Sequence, residues 1–187
     1  SNFVAIDFET AAFSRASACA IGMVHVQDQQ IVEEKTLLIR PPSSEFRFTH
    51  IHGLTWNHVR NEPTFVQQWN IIEEFIHRGD FLVAHNASFD RGVLGGCCEH
   101  YDLPGPRLPF VCTVQLARRQ WDIRPTRLPD VCNYLGIELQ HHDAASDSRA
   151  CAAVAAGGTG PSRAGAAVAL ATRWPRSRRV RESTPSS

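Results

Sequence analysis

The first forty residues carry the apolar, β-branched pattern of strands. Residues 3–9 read FVAIDFE and predict a first strand in the centre of a sheet. Two further apolar runs follow at residues 19–26 and 31–39, joined by the turn-like pair Asp28-Gln29. The opening of the chain therefore predicts a three-stranded antiparallel meander.

The period changes after the Pro-Pro-Ser-Ser break at residues 41–44. Apolar residues then recur three or four positions apart, which predicts an amphipathic helix with Thr64 as its cap and Gly79 at its end. Its apolar stripe consists of Phe65, Trp69, Ile72, Phe75 and Ile76. A short buried strand is predicted at 81–84, and Ser88 is predicted to cap the helix that follows.

The second half of the pattern alternates helix and strand. It predicts a strand at 110–112, a helix at 113–121, a helix at 127–135 closed by Gly136, and a last helix at 144–156. A meander followed by such alternation predicts an α/β domain with a mixed sheet flanked by helices.

Composition divides the chain at residue 156. Residues 1–156 hold 13 Lys and Arg against 18 Asp and Glu, a balance of −5, whereas residues 157–187 hold six Arg and one Glu, a balance of +5. The second part is rich in Gly, Ala and Arg and cannot bury enough apolar surface to offset its ordering entropy. We expect one catalytic domain over 1–156 and a disordered tail over 157–187.

Several protein classes are disfavoured by the sequence. No run approaches the ~20 apolar residues needed to cross a bilayer, and the first residues do not resemble a signal peptide. We expect a cytoplasmic protein without membrane contact. Six cysteines without a CxxC motif, two of them adjacent at Cys97 and Cys98, predict reduced and mostly buried thiols.

Acidic residues occupy the end of the predicted first strand. Asp7 and Glu9 stand two apart, so both should project from one face of the strand while Phe8 points to the other. Burial of two carboxylates beside apolar residues is costly unless a cation or hydrogen bonds compensate.

Three more titratable residues follow predicted turns. Asp90 lies in the first turn of a helix, His142 in the loop entering the last helix, and Asp147 in the opening turns of that helix. Each alone has a structural explanation, a helix-dipole contact for Asp90 and a surface pair for His142 and Asp147. Together with Asp7 and Glu9 they predict one site.

Four carboxylates from separate segments suit Mg²⁺ or Mn²⁺ better than zinc. Two such ions ~4 Å apart can activate a water and neutralise charge at phosphorus. His142 titrates near neutral pH and could remove the proton of that water. The predicted chemistry is phosphodiester hydrolysis.

At these residues the chain resembles the DEDDh exonucleases, the family of the epsilon subunit of bacterial DNA polymerase III and of ribonuclease T. The similar segments cover residues 3 to about 156 and occur in the family's order. They are FVAIDFET, HIHGLTWNHV, LVAHNASFD and HHDAASD, the last with the spacing His142-x4-Asp147.

The resemblance implies a ribonuclease H-like fold with a five-stranded sheet and a 3′→5′ exonuclease using two metal ions. Asp7, Glu9, Asp90 and Asp147 would bind metal and His142 would act as the base. Thr10, His52 and Asn86 would lie near the substrate. The implied partner is a nucleic-acid 3′ end, with single-stranded DNA favoured over RNA and proofreading or repair favoured as the role. Association with a DNA polymerase and a monomeric or homodimeric state are both compatible with the family.

The sequence departs from the family pattern in two places. Ala11-Ala12 stands where the family commonly has Thr-Gly, so the backbone there has less freedom to approach a substrate. The resemblance also stops after Ala156, where further apolar residues would normally pack on the sheet.

Other functions stay open at this stage. A nucleic-acid-binding or polymerase-accessory module could keep the fold with weak or no activity, and an RNA-processing exonuclease would share the site. A ribonuclease H-like endonuclease or transposase would also use carboxylates but does not call for the His142-x4-Asp147 spacing. A zinc hydrolase would use His50, His52, His141 and His142.

Overall fold

The computed structural model describes residues 1–157 of the 187-residue chain. A five-stranded sheet runs through the domain in the order β3-β2-β1-β4-β5. β1 pairs antiparallel with β2 and parallel with β4, so it is the central strand, as the sequence predicts. The strands are β1 (Asn2–Thr10), β2 (Ala18–Gln27), β3 (Gln30–Leu38), β4 (Leu82–Ala84) and β5 (Phe110–Cys112).

Seven helices accompany the sheet within the described residues. Two short ones, α1 and α2, follow β3, and the longer α3 and α4 lie on either side of β4 in the sequence. The helices are α1 (Thr49–His52), α2 (Trp56–Val59), α3 (Phe65–Ile76), α4 (Ala87–His100), α5 (Thr113–Gln120), α6 (Leu128–Leu135) and α7 (Ala144–Ala156).

Alternation along β1 divides the core into two layers. Val4, Ile6 and Phe8 pack on the face covered by α3 and α4, and Phe3 and Ala5 pack on the face covered by α6 and α7. A strand side-chain period of two places Asp7 and Glu9 on the α7 face, continuing the row of Phe3 and Ala5. The predicted orientation of Asp7, Phe8 and Glu9 is confirmed.

The close fit of α7 to the sheet depends on Gly22. This residue lies on β2 directly opposite Asp7 of β1. A Cβ at Gly22 would overlap the carbonyl oxygen of Ala144, in the first turn of α7, and would lie 2.6 Å from Ser148 Oγ. The missing side chain therefore lets the start of α7 approach β1, and α7 carries Asp147.

Most predicted elements are confirmed, with boundaries shifted by one or a few residues. Thr64 caps α3 by accepting a hydrogen bond from the backbone N–H of Gln67, but the helix ends at Ile76, before Gly79. The predicted cap at Ser88 is wrong, because α4 already begins at Ala87 and its N-cap is Asn86, in the left-handed region with φ of 58°.

Other expectations concern the whole chain. α7 ends at Ala156, and Gly157 follows it with φ of 92°. Apart from Gly157, the predicted tail lies outside the described residues. All six cysteines are buried free thiols, as predicted. Of the helices between residues 1 and 157, none is both long and apolar enough to cross a bilayer.

Candidate active site

A cleft of about 310 Å³ opens beside the C-terminal end of β1. It lies between the strand that carries the predicted acids and the loop that enters α7. Its walls combine acidic, imidazole and apolar side chains. The lining residues are Asp7, Phe8, Glu9, Thr10, Phe48, Ile51, His52, His85, Phe89, Leu128, His141, His142 and Asp147.

Three of the predicted acids converge in this cleft. Ligand oxygens of Asp7, Glu9 and Asp147 all lie within 4.8 Å of one another. Asp7 and Glu9 come from β1, and Asp147 comes from the first turn of α7. Two elements distant in sequence thus deliver one group of carboxylates.

Asp90 approaches the same group from behind the strand. Its Oδ1 accepts a hydrogen bond of 2.9 Å from the backbone N–H of Phe8, between Asp7 and Glu9. The side chain is 2% exposed and lies outside the cleft lining. The first turn of α4 therefore fixes Asp90 against β1, next to Asp7.

Burial and mutual repulsion raise the pKa of these acids. Burial is the largest cause at Asp7, whose pKa lies well above its usual range, and Asp90, Asp147 and Glu9 raise it further. The same effects raise the pKa of Glu9 to about 8, and burial raises the pKa of Asp90 to about 7. Burial also raises the pKa of Asp147, against the opposing effect of His141. The group is poised to take up positive charge.

Two adjacent histidines face Asp147. Nδ1 of His141 lies 3.1 Å from Asp147 Oδ2, and the backbone N–H of His142 donates to the same oxygen over 3.0 Å. The rings stack with centroids 3.7 Å apart. Burial, followed by the charge of His141, lowers the pKa of His142, so this imidazole is neutral at pH 7. The role of His141 toward Asp147 was not predicted from the sequence.

The predicted substrate residues occupy different places. Thr10 and His52 line the cleft. His52 Nδ1 accepts a hydrogen bond from the Leu54 N–H, so its Nε2 donates to the Thr10 carbonyl over 2.9 Å. Both ring nitrogens thus bind protein groups and fix the backbone at Thr10. Asn86 is exposed and is not part of the cleft lining; its Oδ1 accepts a 3.3 Å hydrogen bond from the Ser88 hydroxyl.

His85 also lines the cleft and was missed by the sequence analysis. Its Nε2 lies 3.0 Å from the Thr126 carbonyl, which can only accept, so Nδ1 accepts from the Thr113 hydroxyl over 2.8 Å. Burial lowers the pKa of His85 to about 4. A neutral ring therefore ties the end of β4 to α5 and to the loop before α6. Its position in the motif AHNASFD gave no signal of this bridge.

The four-histidine zinc arrangement does not form. Among the described residues, His141 and His142 make a potential ligand group with Asp147, and neither His50 nor His52 belongs to it. The carboxylate group is the better cation site because it contains only oxygen donors.

The mixed sheet, the flanking helices and the carboxylates at the end of the central strand define a ribonuclease H-like fold. A family model described as "Exonuclease" (RNase_T) matches residues 4–155. The chain belongs to this DnaQ-like exonuclease family.

The relatives include "DNA polymerase III PolC-type" proteins. The chain is 32% identical to that of Clostridium perfringens over 159 residues, which are 81% of this chain and 11% of the relative. It is also 32% identical to that of Thermotoga petrophila, with the same coverage. The chain thus spans about a tenth of the length of these relatives.

Solved structures share the fold. "Exonuclease X in complex with 5′ overhanging duplex DNA" is 26% identical, has a TM-score of 0.69, and the match covers 91% of this chain and 98% of that one. E. coli exonuclease I bound to an oligonucleotide gives a TM-score of 0.71 over 83% of this chain and 40% of that one. At 18% identity, the second comparison shows the fold alone.

Proposed function

We propose that this domain is a 3′→5′ exonuclease of the DEDDh subgroup, which hydrolyses phosphodiester bonds at nucleic-acid 3′ ends and releases nucleoside monophosphates. The observation that carries the proposal is the convergence of Asp7, Glu9 and Asp147 within 4.8 Å in an open cleft. Membership of the exonuclease family supports the same chemistry.

The donor set fits a divalent metal. The pKa values of Asp7, Glu9 and Asp90 are raised by burial and by neighbouring carboxylates, and a cation at the group would offset both effects. Carboxylate oxygens are the ligands that Mg²⁺ and Mn²⁺ prefer. We assign Asp7, Glu9, Asp90 and Asp147 as the holders of two ions. When bound, these ions would polarise the phosphodiester and stabilise the developing charge.

His142 is assigned as the general base. Its lowered pKa leaves a nitrogen lone pair free at neutral pH to accept the proton of an attacking water. Its backbone N–H is anchored on Asp147, and its ring stacks on His141. These contacts hold the imidazole at the carboxylate group, and His141 in turn orients Asp147.

The substrate assignment follows from the shape of the cleft. Phe48, Ile51, Phe89 and Leu128 provide apolar walls for a base, opposite the acids. We place the terminal nucleotide there, with the backbone of Thr10 close to it and His52 holding that backbone. Asn86, at the start of α4, would contact the strand outside the cleft. Single-stranded DNA is the favoured substrate and RNA the second.

A role in proofreading is favoured by the PolC-type relatives. Their name places them with DNA polymerase III, and this chain corresponds to about a tenth of their length. We therefore propose that the domain acts beside a DNA polymerase.

The test is digestion of single-stranded DNA and RNA oligonucleotides of one sequence, labelled at the 5′ end. Reactions contain Mg²⁺, Mn²⁺ or EDTA. A ladder that shortens from the 3′ end only with metal is expected, and the DNA-to-RNA rate ratio measures the substrate preference. Intact substrate under every metal, from folded protein, would overturn the proposal.

A matched pair of variants tests the site. Asp7→Asn should abolish most digestion because it removes a charged ligand from the carboxylate group. Asp80→Asn makes the same chemical change at an exposed residue before β4, at the other end of the sheet from the cleft, and should retain the parental rate. Equal rates for both variants would show that Asp7 holds no metal.

A further inference from the structure

A second cleft of about 220 Å³ adjoins the first. Thr10, Phe48 and Phe89 line both, so a ligand can pass from one to the other without leaving the surface. The second cleft is built by the loop between β1 and β2 and by the first turns of α4. Its lining is Thr10, Ala12, Phe13, Ser14, Arg15, Phe48, Ser88, Phe89 and Val93.

The two clefts differ in charge. The first holds the carboxylate group, whereas Arg15 is the one charged side chain among the described residues that line the second. A phosphodiester strand would be repelled by the acids wherever no cation shields them, and it would be attracted by a guanidinium. The charges therefore distinguish one end of the strand from the rest.

Glycines on α4 give Arg15 its position. A Cβ at Gly92 would lie 3.3 Å from Arg15 Nη1 and 3.4 Å from its Cζ, so the guanidinium rests against the helix at this glycine. A Cβ at Gly96 would lie 2.6 Å from Arg15 Cβ. The thiol of Cys97 donates to the Arg15 carbonyl over 3.7 Å. Small residues on one face of α4 thus keep the arginine at the second cleft.

An exposed aromatic ring completes the cleft. Phe13 is 81% exposed and meets Phe48 edge-on, with ring centroids 4.9 Å apart. Phe89, on α4, is also exposed in the part shared by the clefts. Exposed aromatic faces beside a cation suit a single strand, because bases stack on the rings without sequence preference.

Building on the proposed exonuclease function, we propose that the second cleft binds the part of the strand that precedes the terminal nucleotide. Arg15 contacts a phosphate upstream of the scissile bond, and Phe13 offers a surface for a base. The ligand class is therefore single-stranded nucleic acid longer than one nucleotide. Arg15 is a substrate-binding residue whose contribution grows with the length of the strand.

Binding is tested with the full chain carrying Asp7→Asn, which spares the probe from digestion. The probe is a fluorescein-labelled decathymidylate, followed by anisotropy at several salt concentrations. Adding Arg15→Gln should weaken binding roughly threefold to tenfold and lower the salt slope by about one, as for one lost phosphate contact. Arg15→Lys should recover the slope.

Arg107→Gln is the matched control. Arg107 is an exposed arginine before β5, at the end of the sheet opposite the acids, and its replacement removes the same charge. It should leave binding and its salt slope at the parental values. Equal behaviour of the Arg15→Gln and Arg107→Gln variants would overturn the proposal.

A turnover assay separates this inference from the proposed function. The chain with Asp7 intact is given Mg²⁺ and either decathymidylate or the p-nitrophenyl ester of thymidine 5′-monophosphate, which occupies only the first cleft. Absence of hydrolysis of both substrates would refute the exonuclease. With hydrolysis present, Arg15→Gln should raise KM more for the decamer than for the ester, and an equal effect on both would refute the role of Arg15.

Discussion

Replacing Gly22 by alanine should move the start of α7 away from the sheet, and Asp147 with it. The added Cβ would lie 2.5 Å from the carbonyl carbon of Ala144, whereas ordinary contact begins at 3.4 Å. The difference requires a shift of about 0.9 Å, and the obstacle is backbone that cannot rotate away. Overpacking of this kind costs ~1–3 kcal/mol of stability. A displacement of ~1 Å in a catalytic group can cost on the order of 10²-fold in rate.

Two measurements on one variant test this reasoning. Urea unfolding gives the change in stability, and digestion of a labelled oligonucleotide with Mg²⁺ gives the rate. Gly95→Ala is the control, because a Cβ there meets nothing within 4 Å and alanine should stabilise α4 by up to ~1 kcal/mol. Parental stability and rate in the Gly22→Ala variant would refute the link between this glycine and the position of Asp147.

The other predictions concern titration and hydrogen bonding. With EDTA, stability should fall between about pH 4 and pH 8, because the raised pKa values of Glu9 and Asp90 let the folded chain hold protons that the unfolded chain releases; thermal unfolding measures this, Mg²⁺ should reverse it, and a flat profile would contradict it. His142→Ala should lower the rate ~10²–10⁴-fold and flatten its pH dependence, and an unchanged pH–rate profile would exclude His142 as the base. His85→Leu should cost ~1–3 kcal/mol by leaving the Thr126 carbonyl without its donor; an unchanged urea midpoint would show that the bridge contributes nothing.

Local patterns were sufficient to predict the central strand and the longer helices. Alternation in FVAIDFE placed Asp7 and Glu9 on one face, and the α3 stripe followed from its spacing, because both patterns depend on residues close in the sequence. The helices α1 and α2 were missed because four residues are too few to display a period. Asn86 replaced Ser88 as the cap because it adopts the left-handed conformation, which the sequence does not specify.

Contacts between distant segments were beyond the reach of these patterns. The approach of α7 to β1 depends on Gly22, whose importance appears only when Ala144 is placed above it. The contact of His141 with Asp147 depends on the direction of a loop, and the bridge made by His85 joins three separate segments. Such contacts arise from tertiary packing, so a single sequence gives no local signal of them.

The central place of β1 makes the site a matter of parity along the chain. This strand is hydrogen-bonded on both sides, with Asp7 opposite Gly22 and with Val4 and Ala5 beside β4. One residue inserted upstream of the acids within β1 would exchange its faces and turn the carboxylates into the layer that now holds Phe8. An insertion in the turn between β2 and β3 would only lengthen a loop. We therefore expect length changes to be tolerated at that edge hairpin and excluded from the seven residues that lead to the first metal ligand.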